Sequence, residues 1–270
     1  MDTQLANRVV LVTGASGGIG GEVVRAFVRE GARVVAHFSE HGERASDLAR
    51  ELGPACVPLG ADLTLEADVD RLFAEIELGL GPVEILVANA GLWPPDDVPL
   101  HEMTLKQWDR TLAVNLTSVF LCLRAFLRGV ARHSLADPAA VLIGSTAGMI
   151  GEAAHADYAA AKAGVIYGLA RSAKNEICRL APKGRVNVVC PGWTVTPMTQ
   201  RFAADPTKVR RVLQTIPLRK VGRAHDVAMA VVYLASSHLA GHVSGQVLTV
   251  SGGMEGRVLY DPDEIDPSGA

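Results

Sequence analysis

Apolar residues along the chain gather in short unbroken runs instead of alternating with polar ones. The runs are 8–14 (RVVLVTG), 32–38, 83–91, 139–145, 184–190 and 246–252, with 55–60 a weaker member. Rich in β-branched residues, they predict strands buried on both faces. Between them, 18–30, 42–52, 65–79, 104–132, 156–181 and 223–236 carry apolar positions at helical spacing. Strict alternation of strand and helix predicts parallel strands joined by right-handed helical crossovers: an α/β fold with a doubly wound parallel sheet of about seven strands and helices on both faces. Ligands of such sheets bind beyond the carboxyl ends of the strands. Gly14, Phe38, Asp62, Asn89, Ser145 and Pro191 follow or close the predicted strands.

No repeat or composition break divides the 270 residues, so one domain over 1–260 is expected, with 261–270 (DPDEIDPSGA) a frayed tail. A net charge of −3 supplies no positive field for nucleic acid or an anionic membrane, and points to a small ligand. Neither a basic, then apolar, leader nor an uncharged apolar span long enough for a bilayer stands out, which points to the cytoplasm. Cys56, Cys122, Cys178 and Cys190 are scattered without CxxC or His spacing suited to zinc, and read as reduced core residues. No metal is called for.

The stretch VTGASGGIGGEVV sets five glycines between the first strand and an amphipathic helix. Glycine permits a tight turn and close approach of backbone N–H groups to a pyrophosphate, and the helix start adds partial positive charge. The same glycines could serve packing alone. Their spacing, Thr13-Gly14-x-x-x-Gly18-x-Gly20, departs from G-x-G-x-x-G and lacks the GK[ST] of a phosphate loop. In DYAAAKAG, Tyr158 and Lys162 stand four apart and share one helix face. A phenol is a poor base at pH 7, and a nearby ammonium favours its phenolate. Ser145, thirteen residues before Tyr158, is either a substrate-facing hydroxyl at a strand end or a turn serine. Asn115 lies mid-helix among apolar residues, where asparagine is unfavourable unless it bonds backbone or serves the site.

Taken together with NAG at 89–91 and PG at 191–192, these motifs resemble the short-chain dehydrogenase/reductase family, in its compact single-domain, Rossmann-like branch, over roughly residues 5–254. The resemblance implies hydride transfer between a nicotinamide cofactor and a carbonyl or secondary alcohol. It assigns Tyr158 as acid/base, Lys162 to the ribose and the tyrosine pKa, Ser145 to the carbonyl, and Asn115 to a water in the proton relay. It implies cofactor contacts from Gly14, Ser16, Gly18, Ile19, Gly20, Phe38, Ser39, Asp62, Leu63, Asn89, Ala90, Gly91, Tyr158, Lys162, Pro191, Gly192, Thr194 and Thr196. It also implies a homotetramer built through the helices at 104–132 and 156–181.

Phe38 stands where an acid would hold the adenosine ribose of NAD, which favours NADP over NAD; His37, Ser39 and Arg44 could meet a 2′-phosphate, opposed by Glu40. Trp93, Met149, Trp193, Met198 and Phe202 suit a hydrophobic or aromatic ketone or alcohol, or are lid packing. Arg201, Arg210 and Arg211 face either an anionic carrier, as in 3-oxoacyl thioester reductases, or solvent. His155 is placed in a loop at the pocket mouth. Serine hydrolysis is set aside because Ser145 lacks a G-x-S-x-G elbow. A non-catalytic nucleotide-binding scaffold and an epimerase or dehydratase are the alternatives. The first gives no chemical need for Ser145, Asn115, Tyr158 and Lys162 together, and the second usually carries a larger substrate region than this chain has after 254.

Overall fold

A computed structural model describes residues 2–40, 42–197, 199 and 205–266. Seven strands form one parallel sheet: β1 (Val9–Val12), β2 (Arg33–Phe38), β3 (Cys56–Gly60), β4 (Ile85–Ala88), β5 (Ala139–Ile143), β6 (Arg185–Pro191) and β9 (Val247–Val250), in the order β3-β2-β1-β4-β5-β6-β9. β7 (Thr194–Val195) and β8 (Gly222–Arg223) pair in a separate two-stranded ribbon. The chain winds outward from β1 to β3, then returns to β4 beside β1, with Leu11 opposite both Val35 and Leu86. That reversal opens a crevice between the carboxyl ends of β1 and β4.

The unbroken apolar runs are explained by two cores, one on each face. Val9 and Leu11 join the core under α3 (Glu66–Leu80), α5 (Ser118–His133) and α8 (Ala170–Leu180), while Val10 and Val12 join the core under α1 (Gly18–Arg29) and the helix Ala224–Ala235. Successive strand residues point to opposite faces, so both must be apolar. The strands are shorter than the apolar runs: β1 stops at Val12 and β4 at Ala88, releasing Thr13–Gly14 and Asn89–Gly91 as loops.

The predicted helix 104–132 is α4 (Leu105–Leu112), a wider π turn (Ala113–Thr117) and α5. Likewise 156–181 is α7 (Ala156–Ala163), a π turn (Gly164–Leu169) and α8. The run Leu105–His133 holds an 18-residue window of mean hydropathy 1.4, long and apolar enough to cross a bilayer, against the expectation that no segment is; half of that window is buried, and Val119, Cys122 and Phe126 lie in the core. Among the described residues three helices lie outside those six segments, α6 (Thr146–Ile150), Pro206–Leu213 and Ser237–Ala240. Beyond Tyr260 the chain makes a short turn at Pro262–Glu264, and Ile265 packs with Val209, Leu213 and Ile216.

Candidate active site

The ends of β1 and β4 are joined by Thr13, whose hydroxyl accepts the N–H groups of Asn89 and Ala90, both at 2.9 Å. In return the Asn89 amide donates to Thr13 O at 2.8 Å and Gly14 O at 3.2 Å. Gly14 has φ +68°, and a Cβ there would lie 2.8 Å from the Ala90 backbone. Gly20 is pressed closer still, its absent Cβ 2.3 Å from Gly14 O. Only glycine fits either position without moving backbone.

α1 begins behind this turn. Its N-cap is Gly17, which offers no side chain to the first-turn amides, and no acidic residue stands in that turn. An anion, not a side chain, is therefore the natural partner of those N–H groups. Ser16 and Ile19 flank the turn and are partly buried. From the opposite side, Pro191 closes β6, Gly192 donates to Val250 O, and the Thr194 hydroxyl donates to Gly192 O. The loop then brings Thr196 against Gly18, within 2.8 Å of where a Cβ would stand. A nicotinamide dinucleotide fits this cradle: a bare helix start for the pyrophosphate, bracketed by loops from β1, β4 and β6.

The Phe38 ring lies over Gly42 and Gly60, about 3 Å from where their Cβ atoms would be. Ser39 is exposed, Leu63 is buried, and Asp62 is exposed with Oδ1 receiving both the N–H and the hydroxyl of Thr64. His37 cannot meet a phosphate as expected. It is 1% exposed, and its ring nitrogens are taken by Gly14 N–H and Ala61 O. Met198, Arg201 and Phe202 lie outside the described residues.

Tyr158 and Lys162 share one face of α7, with Lys162 Nζ 5.7 Å from the centre of the phenol ring. Lys162 is buried, and its ammonium donates to Ile143 O at 2.9 Å, tying α7 to the end of β5. Burial lowers its pKa to about 8. Burial also pushes the Tyr158 phenol up to about 12; a hydrogen bond with the Ser145 side chain pulls the other way, and charge on Cys190 and Glu152 adds to the rise. By itself the chain thus holds the phenol neutral, opposite to the direction expected from Lys162 together with a cationic cofactor ring. Desolvation of the site sets that direction and outweighs the Ser145 hydrogen bond.

Ser145 caps α6, accepting from Ala147 N–H at 3.2 Å. Beneath it lies Cys190, its Sγ 2.6 Å from where Gly144 would carry a Cβ, and burial raises the thiol to about 11, so it stays protonated and inert. Asn115, fully buried in the π turn, spans two segments: its Nδ2 donates to Leu92 O and Thr111 O, and its Oδ1 accepts from Leu92 N–H, all at 3.1 Å. Gly91 would place a Cβ 2.7 Å from that Oδ1 and 3.5 Å from Lys162 Nζ. Asn115, Gly91 and Lys162 therefore meet at one point.

Near the phenol, Asp157 and Glu152 had no assigned place from the sequence, while His155 was expected in a loop at the pocket mouth. Asp157, fully buried, accepts from the Thr111 hydroxyl (2.7 Å), Gln107 Nε2 (3.2 Å) and Tyr158 N–H (2.8 Å), fastening the start of α7 to α4. An aspartate in a helix first turn was the only local signal. His155 is buried with Nε2 3.1 Å from Asp97 Oδ1, and the Trp93 ring packs against it, tilted by 55° at 4.1 Å, while meeting the Tyr158 ring edgewise at 4.8 Å. Glu152, whose carboxyl is raised by burial, also acts on Tyr158. Trp93 thus forms an apolar wall beside the phenol. The described residues contain no group of three or more His, Cys, Asp or Glu suited to a metal ion.

The profile of a family described as enoyl-(acyl carrier protein) reductase matches residues 14–255. The chain is 34% identical over 256 residues to a 3-oxoacyl-[acyl-carrier-protein] reductase of Synechocystis sp., covering 93% of this chain and 98% of that one. It is 36% identical over 256 residues to a cis-4-hydroxycyclohexanecarboxylate dehydrogenase of Sinomonas cyclohexanicum (94% and 98%), and 36% identical over 250 residues to an acetoacetyl-CoA reductase of Rhizobium meliloti (92% and 98%).

Proposed function

Because the chain belongs to the short-chain dehydrogenase/reductase family, we propose that Tyr158, Lys162, Ser145 and Asn115 carry out its reaction on a small hydrophobic ketone or secondary alcohol. The protein is an oxidoreductase that uses a nicotinamide cofactor on a small molecule, and the alternative of a non-catalytic scaffold is not favoured. The observation that carries the reading is the convergence of Ser145, Tyr158 and Lys162, with Lys162 against Gly91 in the loop after β4.

The bound cofactor supplies hydride to the carbonyl carbon, or accepts it in the reverse direction. As negative charge grows on the substrate oxygen, Tyr158 transfers its phenolic proton there, an act for which a phenol kept neutral at pH 7 is suited. Ser145, hydrogen-bonded to that phenol, donates to the same oxygen. Lys162 is largely an ammonium at pH 7; it stabilises the phenolate left behind and bonds the cofactor ribose. Asn115 fixes the loop at Leu92 and so the space in which a relay water would stand. Gly14, Ser16, Gly18, Ile19 and Gly20 hold the pyrophosphate, Phe38, Ser39, Asp62 and Leu63 the adenosine, Asn89, Ala90 and Gly91 a ribose, and Pro191, Gly192, Thr194 and Thr196 the nicotinamide side. Residues 1–260 act as one cofactor-binding and catalytic domain.

NADP is the preferred cofactor in this reading. No carboxylate ends β2, and exposed Ser39 and Arg44 are the nearby groups that could meet a 2′-phosphate, with exposed Glu40 opposing. The Trp93 wall favours an apolar group beside the carbonyl, and the names of the relatives add 3-oxoacyl thioesters and hydroxycyclohexanecarboxylates to the panel to be tried. A carbonyl and alcohol panel followed by reduced-cofactor absorbance is expected to find turnover, with NADPH bound about tenfold more tightly than NADH. No turnover of any carbonyl would sink the reading; equal binding would remove the preference.

The outer faces of the two long helices expose Leu105, Phe120 and Tyr167, which supports assembly into a homotetramer through them. Four free cysteines, three of them buried, suit the reducing cytoplasm. Sedimentation velocity at micromolar protein is expected to give a species of four chains; a monomer would refute the assembly.

A further inference from the structure

His37 is the last residue but one of β2, yet it serves the glycine loop. Gly14 N–H donates to its Nδ1 at 3.2 Å, its Nε2 lies 3.0 Å from Ala61 O, and its own carbonyl accepts from Ala15 N–H at 2.8 Å. Because an amide can only donate, Nδ1 is the acceptor and the proton sits on Nε2, directed at Ala61. One neutral ring therefore bridges the ends of β1 and β3 and holds the Gly14 amide of the cofactor turn, while the His37 backbone carbonyl holds the next amide, that of Ala15. We propose that His37 is a positioning residue for cofactor binding: neutral, it fixes the Gly14 amide, and protonated, it releases that amide and loosens the turn.

The inference rests on the assignment of the Gly14 loop to the cofactor. A proton on Nδ1 would face the Gly14 N–H, two donors 3.2 Å apart in a place only 1% exposed, so the ring or the loop must move. Burial holds the imidazole below its usual pKa, against the Ala61 carbonyl and Asp62, which favour the charged form. Asp62 is the charged group acting on it from the β3 end. The loop Thr13–Gly21 and the β4 end, 87–91, bring no titratable side chain, and Glu43 and Arg44 at the start of α2 (Gly42–Leu52) are exposed. The release therefore falls at mildly acid pH, below about 6.5.

The test is isothermal titration of NAD+ and NADP+ into wild type and His37→Asn between pH 7.5 and 5. Asparagine retains an acceptor near the Nδ1 position and does not titrate there. The quantity read is the difference in log Kd between the two proteins, in which titration of the ligand's own phosphate cancels. Wild type is expected to lose at least fivefold more affinity than His37→Asn on acidification, while His37→Leu, with no acceptor, binds weakly at pH 7.5 and loses little more. Identical pH profiles in wild type and His37→Asn overturn the inference while leaving the cofactor assignment standing. Failure of wild type to bind either cofactor at pH 7.5 overturns the assignment itself. If His37→Asn does not fold, by its thermal transition, His37→Gln takes its place in the same comparison.

Discussion

Tyr158→Phe is expected to lower kcat for carbonyl reduction by about 10²–10⁴-fold, the range over which a positioned proton donor accelerates a reaction. Cofactor affinity and unfolding temperature should change little. The substitution removes one oxygen and keeps the ring that Trp93 meets at 4.8 Å, and the Ser145 hydroxyl that loses its phenol partner still accepts from Ala147 N–H. Steady-state kinetics, a fluorescence titration of the cofactor and a thermal melt separate the possibilities. Full activity would remove Tyr158 from the chemistry. A lost cofactor complex or a collapsed melt would show that the hydroxyl had been structural.

Lys162→Met is expected to abolish most turnover and yet to stabilise the fold at neutral pH. The lysine is 3% exposed and its pKa lies near 8 against 10.5 in the unfolded chain. A shift of this size means that burying the ammonium costs about 3 kcal/mol below pH 8. Against this, the methionine leaves Ile143 O without its ammonium donor, a loss of about 1–2 kcal/mol, so the net gain at pH 7 is about 1–2 kcal/mol. Between pH 8 and 10.5 the unfolded wild-type chain binds more protons than the folded one, so this contribution to wild-type stability rises with pH. The advantage of the Lys162→Met variant over the wild type should therefore shrink between pH 7 and 9.5, before the Tyr158 phenol, whose raised pKa acts in the opposite sense above pH 10, begins to matter. Denaturant unfolding at the two pH values measures it. A variant less stable than wild type at pH 7, with a gap that does not move with pH, would refute the buried-charge account.

Both expectations turn on burial, which is where the sequence reading met its limit. The spacing of Tyr158 and Lys162 showed that they share a helix face, and the structure places them so. Their pKa directions could not follow from spacing, because desolvation depends on the β5 end, α6 and Trp93 closing around them. His37 illustrates the same limit from the other side. As a polar residue near a strand end it read as a phosphate ligand; only its bonds to Gly14 and Ala61, from the neighbouring strand ends, show its ring turned inward. Asn115 sat among apolar residues for a reason that was visible as a question, and its answer, two segments 23 residues apart pinned together, was not. The helix at Pro206–Leu213 stands outside the periodic segments because it packs a small core of its own, apart from the sheet faces that set the dominant periodicity.

By itself, then, the sequence determined what short-range regularity can encode: alternating strands and helices, hence a doubly wound parallel sheet, a turn that only glycine can make, and a tyrosine and lysine one helical turn apart. Local periodicity and steric limits suffice for these. The tertiary structure alone decided which distant side chains meet: Cys190 beneath Ser145, Asn115 against Gly91, Trp93 and His155 against Tyr158, and His37 under Gly14. Those contacts join segments far apart in the chain, and the water they exclude sets the protonation of the groups that react.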